Sequence, residues 1–264
     1  MARSLAELWG TLPSSGFFVD GAAIRELGAG AWVLRRPGLH IRDERMDDRL
    51  PVELRTGRVL LVFASVHWSE AGPRCFTVHP LGNLGDSDQV GGRPRTLVPA
   101  APAWMTGALR ALSELAPSVA RTACFEATHH GPSLGLPAFF IEIGGGTAPG
   151  EPSADELSVL SRVLQQLRPT EGDRVAVGVG GGHYAPHFTD LALRRCWSFG
   201  HLVPRHFVEN IDPETARSAV AVTPGCEGIV FARAADAQLP SWRDLTTRLR
   251  DQDAAPRAAA PRTG

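Results

Sequence analysis

Residues 124–132, Cys-Phe-Glu-Ala-Thr-His-His-Gly-Pro, end an apolar run with two adjacent histidines, His129 and His130. A carboxylate, Glu126, lies in the same run, and a Gly-Pro break follows the histidines directly. The unperturbed pKa of histidine is ~6.5, so its ring can take up a proton, release one or bind a metal near neutral pH. The stretch therefore has the residue types needed to activate water or to hold a metal ion.

Similar residues follow the predicted strands elsewhere in the chain. Ligands of open α/β sheets bind beyond the carboxyl ends of the strands, so residues that follow different strands meet at one edge of the sheet. A further polar loop, residues 77–83, is predicted between the first two strands. The candidates that these segments bring to the edge are Ser65, His67, His79, Asn83, Thr128, Glu142, Gly180, Gly181, Gly182, His183 and Tyr184.

Each of these residues also has a purely structural interpretation. A single histidine after a strand is often only hydrogen-bonded, and three glycines often form only a tight turn. Glu126 and Glu142 lie within apolar strands and need partners, such as arginine, because carboxylates are rarely buried alone. Adjacent strand residues face opposite sides, so one of His129 and His130 is expected to face a ligand and the other to orient a neighbour or bind a metal. The histidines predicted to be structural are His187, His201 and His206.

The elements that must position these residues are short apolar strands and amphipathic helices. The predicted strands are Val59–Ala64, Ala123–Thr128, Ala138–Ile143 and Val175–Val179. Alternation of such strands with helices predicts an α/β fold with a mostly parallel or mixed sheet flanked by helices. The predicted helices are Pro102–Leu115, Ser153–Arg168 with a capping box at its start, a helix beginning at Asp212-Pro213, and Ser241–Arg250.

Composition narrows the class of protein. The 264 residues suffice for one α/β catalytic domain, predicted over residues 1–251, with a disordered tail over residues 252–264. The net charge of −1 gives no basic field that would favour DNA, and the arginines between Arg35 and Arg58 alternate with acids, which predicts a solvated mixed-charge face. The four scattered cysteines and the lack of a long apolar run favour a cytoplasmic protein without membrane contact.

Several motifs occur in order along the chain: FTVHPLGN, FEATHHGP, PAFFIEIG, VGVGGGHYAP and FGHLVP. Together they resemble the second type of D-aminoacyl-tRNA deacylase, known from archaea and plants, from about Leu60 to Pro204. The resemblance implies a phosphorylase-like or peptidyl-tRNA hydrolase-like fold, hydrolysis of the ester between a D-amino acid and tRNA for chiral proofreading, and a zinc cofactor. The chain departs from that pattern at Val66, at Gly145, at residues 226–228 and in its short N-terminal region, so a divergent member is expected.

The resemblance and the candidate residues together predict a division of roles. His129 or His130 is expected to activate or coordinate the attacking water, with Glu126 or Glu142 as the residue that orients it, and Thr128 completes the predicted catalytic set. The predicted zinc ligands are His67, His79 and His183. Contact with the substrate is predicted for Ser65, Asn83, Tyr184 and the backbone of Gly180, Gly181 and Gly182. Aminoacyl-tRNA is the expected partner of a monomeric protein.

Two other functions stay open on the sequence alone. The chain could be an esterase or an aminoacyl-tRNA-dependent transferase of secondary metabolism on the same scaffold, in which an amine attacks the ester in place of water. It could also be a non-catalytic RNA- or nucleotide-binding module, although the five histidines of the candidate segments speak against that interpretation. Nucleoside phosphorolysis shares the expected fold, but no motif supports it.

Overall fold

The computed structural model describes residues 9, 12–28, 30–36, 38–56, 58–67, 72–145 and 152–254. It begins with a small antiparallel sheet of three strands, β1 (Ser14–Val19), β2 (Ala22–Gly28) and β3 (Ala31–Leu34). Val19 and Ile24 of this sheet are buried in a hydrophobic cluster with Phe140 of the central sheet. The N-terminal sheet therefore packs against the central one.

The central sheet has four strands in the order β4-β7-β5-β6. These are β4 (Leu61–His67), β5 (Cys75–Pro80), β6 (Thr122–Phe125) and β7 (Ala138–Gly144). β4 runs parallel to β7 and β5 runs parallel to β6, whereas β5 and β7 are antiparallel, so the sheet is mixed.

The two faces of the central sheet differ in chemistry because side chains alternate along each strand. Phe76 and Val78 of β5 point to one face, where they join Met105 and Leu109 of helix α2 (Pro102–Leu115) in the largest core. Cys75, Thr77 and His79 of the same strand point to the other face and are almost fully buried. Glu142 lies opposite Thr77 and thus shares this polar face.

A second sheet is fully parallel, in the order β10-β8-β9. Its strands are β8 (Arg174–Val179), β9 (Trp197–Val203) and β10 (Cys226–Phe231). The remaining helices are α1 (Val52–Arg55), α3 (Ala154–Gln165), α4 (Pro186–Arg194), α5 (Arg205–Val208), α6 (Pro213–Ala221) and α7 (Pro240–Ala254). Val177, Val179, Val203 and the buried Trp242 form the core of this half.

Residues 126–128 join the two sheets. The N–H of Glu126 donates to Val78 of β5 at 3.0 Å, and the N–H of Thr128 donates to Leu202 of β9 at 2.8 Å. Between them, the N–H of Ala127 donates to the carbonyl of His183 at 2.7 Å. The short segment that carries Glu126 is thereby fixed from both sides.

The α/β fold with parallel and mixed sheets is confirmed, but several boundaries differ from the prediction. β4 continues through His67, and β6 ends at Phe125, three residues before the predicted end of that strand. The segment predicted as a polar loop, residues 77–83, begins inside the buried strand β5. Strands β1, β2, β3, β9 and β10 were not predicted.

The C-terminal helix extends to Ala254, so residues 252–254 are helical where a tail was predicted. The remainder of that predicted tail lies outside the described residues. Within the described ranges, no helix is both long enough and apolar enough to cross a bilayer.

A buried ion pair ties α3 to the central sheet. Arg121 donates to the carboxylate of Glu156 and to the carbonyl of Gly144 at the end of β7. Glu156 also completes the predicted capping box, because it accepts from the N–H of Ser153 at 2.8 Å while Ser153 accepts from its N–H. Burial opposes the charge of Glu156, but Arg121 outweighs it and holds the pKa of this carboxyl below its ordinary value.

We expect Glu156→Gln to lower the free energy of unfolding by about 3 kcal/mol at pH 7, because removal of one partner leaves the Arg121 charge buried. A carboxylate with a depressed folded-state pKa stabilises fully above its unfolded value of 4.5, and this contribution is lost as the pH falls through the lower folded value. Wild type and variant should therefore converge only below that folded value. Urea denaturation at pH 7 and at a series of pH values down to about 2 measures both effects, with the exposed Glu114→Gln on α2 as the control.

Candidate active site

Glu142 is the centre of the polar face. It lies on β7 between Ser65 of β4 and Thr77 of β5, and only 3% of its surface is exposed. Its Oε2 is 3.4 Å from Nδ1 of His67 and 3.7 Å from Nε2 of His79. Two strand histidines thus compensate one buried carboxylate, and the arginine partner considered from the sequence is absent among the described residues.

Glu126 provides a second buried carboxylate on the same side. It is 0% exposed, and neither of its oxygens has a hydrogen-bond donor among the described residues. Its Oε2 lies 3.5 Å from Nε2 of His183 and 3.7 Å from Nε2 of His129. The chain therefore buries two carboxylates against four histidines in one place.

His129 and His130 both point into this cluster. Their ring centroids are 4.1 Å and 5.0 Å from that of His79, and 4.4 Å from each other. The expectation that the two would face opposite ways is wrong, because His130 has a left-handed backbone, with φ of 46°. That conformation interrupts the alternation of an extended strand and turns the second ring to the same side.

The backbone selects one tautomer for the three clustered histidines. The Nδ1 atoms of His79, His129 and His130 lie 3.1, 2.7 and 2.8 Å from the carbonyls of Pro80, Ala127 and Gly131. A carbonyl only accepts, so each Nδ1 carries a proton. In the neutral rings, the lone pair is then on Nε2, the atom that faces the cluster.

The electrostatics divide the histidines into two groups. The ion pair with Glu142 raises the pKa of His67 despite burial. Burial lowers the pKa of His79, but the contact with Glu142 outweighs burial, so this pKa is raised as well. Burial and the charge of His79 lower the pKa of His130 to about 4 and hold that of His129 well below its usual value. His129 and His130 are therefore neutral at physiological pH.

Both carboxylates stay ionised in spite of their burial. Burial alone would raise the pKa of Glu142, but His67 and His79 hold it well below its ordinary value. Burial likewise opposes the charge of Glu126, whose pKa is nevertheless lowered by contact with His183 and by the charge of His79.

A segment that the sequence did not single out holds the His129–His130 turn in place. Glu44 accepts from the N–H groups of Gly92 and Ser133 at 2.6 Å and 2.8 Å. Asp47 accepts from the N–H of Gly135 at 2.7 Å and from that of the next residue. These acids were interpreted only as part of a mixed-charge face, because nothing in the sequence indicates which backbone they meet. Three arginines of that face, Arg36, Arg45 and Arg49, are ion-paired with Asp20, Asp43 and Asp48, as a mixed-charge face requires.

Two predicted site residues are engaged elsewhere. The hydroxyl of Thr128 accepts from the N–H of Leu202 at 2.9 Å and lies 3.1 Å from Nδ1 of His201. Asn83 donates to the carbonyls of Gly91 and Arg93. These contacts favour positioning roles over direct participation for both residues.

The other predicted substrate contacts lie around the cluster. Ser65 is on the polar face, and its hydroxyl is 3.0 Å from Nε2 of His40, a histidine that the sequence interpretation missed. The ring of Tyr184 contacts that of His183 edge to face. Gly180, Gly181 and Gly182 follow β8 and lead directly into His183.

The donor atoms fit a divalent metal. Nε2 of His129 and Oε2 of Glu126 are acceptors that face each other at 3.7 Å, and neither has a hydrogen-bond donor among the described residues. A cation between them would satisfy both, and nitrogen and carboxylate oxygen are the ligands that zinc prefers. Three combinations of described residues bring their ligand atoms within 4.8 Å of one another: His79, His129 and His130; His67, Glu126 and His129; His79, Glu126 and Glu142. The predicted set of His67, His79 and His183 is not among them.

Comparisons with known proteins show which family the chain is similar to. A family model described as D-aminoacyl-tRNA deacylase matches residues 56–249. Curated proteins named D-aminoacyl-tRNA deacylase include one from Thermoplasma acidophilum, 37% identical over 174 residues (66% of this chain and 67% of the relative), and one from Picrophilus torridus, 32% identical over 192 residues (72% and 70%). A relative from Methanoregula boonei is 37% identical over 69% of this chain but only 40% of its own length. The chain thus spans between 40% and 70% of the length of these curated relatives.

A solved structure is also similar. It is the crystal structure of a conserved protein of unknown function, with a TM-score of 0.77 and 27% sequence identity, and the match covers 91% of this chain and 86% of that one. This similarity extends over more of the chain than the sequence relatives do, so it includes the elements outside the shared motifs.

We expect the stability to fall between pH 6.5 and pH 4 partly through His201. This residue is 0% exposed, its Nε2 lies 3.0 Å from the carbonyl of Val98, and burial lowers its pKa to about 4. The unfolded chain takes up this proton below its ordinary value of 6.5 and the folded chain does not, so acid favours unfolding by up to about 3 kcal/mol.

His201→Gln should therefore show a smaller loss of unfolding free energy between pH 7.5 and pH 4.5 than wild type does, as measured by urea denaturation. His187→Gln, at an exposed position on α4, is the matched control. An equal loss in wild type and His201→Gln would contradict the assignment.

Proposed function

Because the chain belongs to the D-aminoacyl-tRNA deacylase family, we propose that it hydrolyses the ester that joins a D-amino acid to tRNA, releasing the D-amino acid and free tRNA. The observation that carries this proposal is the buried cluster in which neutral His129 and His130 direct their Nε2 atoms toward Glu126 and His79. The family match covers every residue of that cluster. That the chain acts as a monomer in the cytoplasm stays a prediction.

An aminoacyl ester is labile, so the site needs to position and activate a water molecule more than to supply a strong acid. A neutral imidazole with a free Nε2 can accept the proton of that water as the water attacks the ester carbonyl. His130 suits this role because no carboxylate of the described residues lies within ion-pair distance of its ring, whereas His129 is held between Glu126 and His79. Glu126 then stabilises the positive charge that develops on the histidines.

The ribose oxygen of the tRNA leaves when the tetrahedral intermediate collapses and must receive a proton. His183 is placed for this step, because its side chain is 43% exposed while its Nε2 remains 3.5 Å from Glu126. Glu142 acts indirectly, because it fixes the rings of His67 and His79 by ion pairing. The proposed mechanism thus has a base, His130, a proton donor, His183, and two histidines, His67 and His79, that are fixed by Glu142.

We further propose that Glu126, His67 and His129 hold a zinc ion, since their ligand atoms form one of the three converging sets. The support is Nε2 of His129 and Oε2 of Glu126, which face each other at 3.7 Å without a hydrogen-bond donor among the described residues, and the carbonyl of Ala127, which fixes the proton on Nδ1 of His129 as such partners do for metal-bound histidines. This set leaves Nε2 of His130 free to act as the base. When bound, zinc would supply a Lewis acid that lowers the pKa of a water molecule to ~7.

The activity is tested with matched D- and L-aminoacyl-tRNA, assayed with and without a chelator. We expect rapid loss of the D-ester, slow loss of the L-ester, and one zinc ion per chain by elemental analysis of the untreated protein. Chelation should abolish the reaction if the metal is required. Persistence of D-specific hydrolysis in metal-free protein would remove zinc from the proposal and leave histidine as the base, whereas stability of both esters with folded protein would refute the deacylase activity.

His130→Asn should reduce kcat by at least about a hundredfold, the usual effect of removing an acid–base group. Asparagine is chosen because it tolerates the left-handed backbone of this position, so the melting temperature should change little. His187→Gln, which replaces an exposed histidine on α4, should retain full activity. Unfolding of His130→Asn, or undiminished kcat, would assign a structural role to this residue.

A further inference from the structure

A cavity of about 690 Å³ lies at the carboxyl ends of the parallel strands β8, β9 and β10, beside the histidine cluster. Its lining comes from the segments that follow the three strands: Gly181 and Gly182 after β8, Arg205, His206, Glu209 and Asn210 after β9, and Ala232 and Arg233 after β10. The carboxyl edge of a parallel sheet is where α/β proteins bind ligands. None of the residues that line this cavity takes part in the ester chemistry described above.

One side of the cavity offers donors for an anion. The N–H groups of Gly181 and Gly182 have no backbone acceptor among the described residues, and Gly181 has a left-handed φ of 79°. Both glycines line the cavity, and a Cβ added at Gly182 would meet no atom within 4 Å, so this part of the wall is open. Successive free N–H groups in such a turn form a concavity that binds anions.

Arg205 adds a full positive charge to these donors. Its N–H donates to the carbonyl of Gly181 at 2.9 Å, which holds its segment against the glycine turn. Its side chain is exposed and makes no ion pair with any carboxylate in the described part of the chain. By contrast, Arg233 is paired with the buried Asp236. Arg205 is therefore the guanidinium available for a phosphate.

The same cavity is also lined by groups that fit a nucleoside. Glu209 is a hydroxyl acceptor of the kind that binds ribose, and Asn210 can both donate and accept. His206 presents an exposed ring next to Phe207. A carboxylate in the same cavity would disfavour a bare anion. A nucleotide would use both the positive groups, for its phosphate, and the carboxylate, for a ribose hydroxyl.

We propose that this cavity binds a ribonucleotide of the tRNA acceptor end, with its phosphate at the N–H groups of Gly181 and Gly182 and at Arg205, and with a ribose hydroxyl at Glu209. The proposal rests on the proposed deacylase function for the identity of the nucleotide. Gly182 directly precedes His183, so consecutive Cα atoms about 3.8 Å apart connect the two sites. A nucleotide held in the cavity thus places its ester near His183 and Glu126.

The first test is calorimetric titration with adenosine 5′-monophosphate, adenosine and inorganic phosphate. We expect the monophosphate to bind most tightly and Arg205→Gln to weaken its binding about tenfold, with no change for adenosine. Gly182→Ala, whose added methyl enters open space, should weaken the monophosphate in the same way without unfolding the chain. Arg162→Gln on α3 is the matched control, because α3 packs on the apolar face of the central sheet.

Equal affinity of wild type and Arg205→Gln for the monophosphate, or no binding of it at millimolar concentration, would overturn the proposal. Binding of inorganic phosphate as tight as that of the monophosphate would overturn its nucleotide part. Since the titration does not depend on turnover, an Arg205-dependent nucleotide site in a protein without deacylase activity would refute the proposed function and leave the site intact.

The second test uses aminoacyl-tRNA as substrate. Arg205→Gln should raise KM several-fold with kcat unchanged, and should reduce the slope of log KM against log salt by about 0.7, the value of one lost phosphate contact on a single strand. An unchanged KM and salt slope would show that the acceptor end does not use this cavity.

Discussion

The burial of two ionised carboxylates, Glu126 and Glu142, is the constraint on which the rest of the structure depends. Neither has an arginine partner among the described residues, so their charge is balanced by histidines at 3.4 to 3.7 Å. Taking a carboxylate out of water costs several kcal/mol unless it is compensated. The histidines therefore have to be held firmly, and most of the polar contacts near the site serve that end.

Three kinds of contact hold these histidines in place. Strand register fixes His67 and His79 relative to Glu142, since these residues lie on neighbouring strands of one sheet. Backbone carbonyls fix the rings of His79, His129 and His130 through Nδ1. The acids Glu44 and Asp47 fix the loop that follows His130. Because these contacts come from distant parts of the chain, the cluster forms only when both the central sheet and the N-terminal segment have folded.

The sequence predicted the members of this cluster better than its location. The apolar strands Ala138–Ile143 and Val175–Val179 were recognised because continuous apolar runs are typical of buried strands. The strand Cys75–Pro80 was not recognised, because its threonine and histidine suggested a loop. In the structure these two residues line the polar face of the strand. The histidines were therefore expected beyond the strand ends, whereas His67 and His79 lie within strands, as Glu142 was expected to do. The roles of Glu44, Asp47 and His40 depend on contacts between distant segments, which periodicity does not report.

The turn after β8 links recognition to chemistry. The carbonyl of His183 accepts from Ala127, the neighbour of Glu126, while its side chain reaches Glu126 itself. The two residues before it line the cavity beside Arg205. A nucleotide bound there, as proposed, would lie against the same turn that carries His183, so one turn serves both the binding of the acceptor end and the proton donor. The glycines suit this turn: Gly180 and Gly181 have left-handed backbones, and a Cβ at Gly182 would meet no atom within 4 Å. Side chains at the first two positions would strain the turn that sets the distance between the cavity and His183.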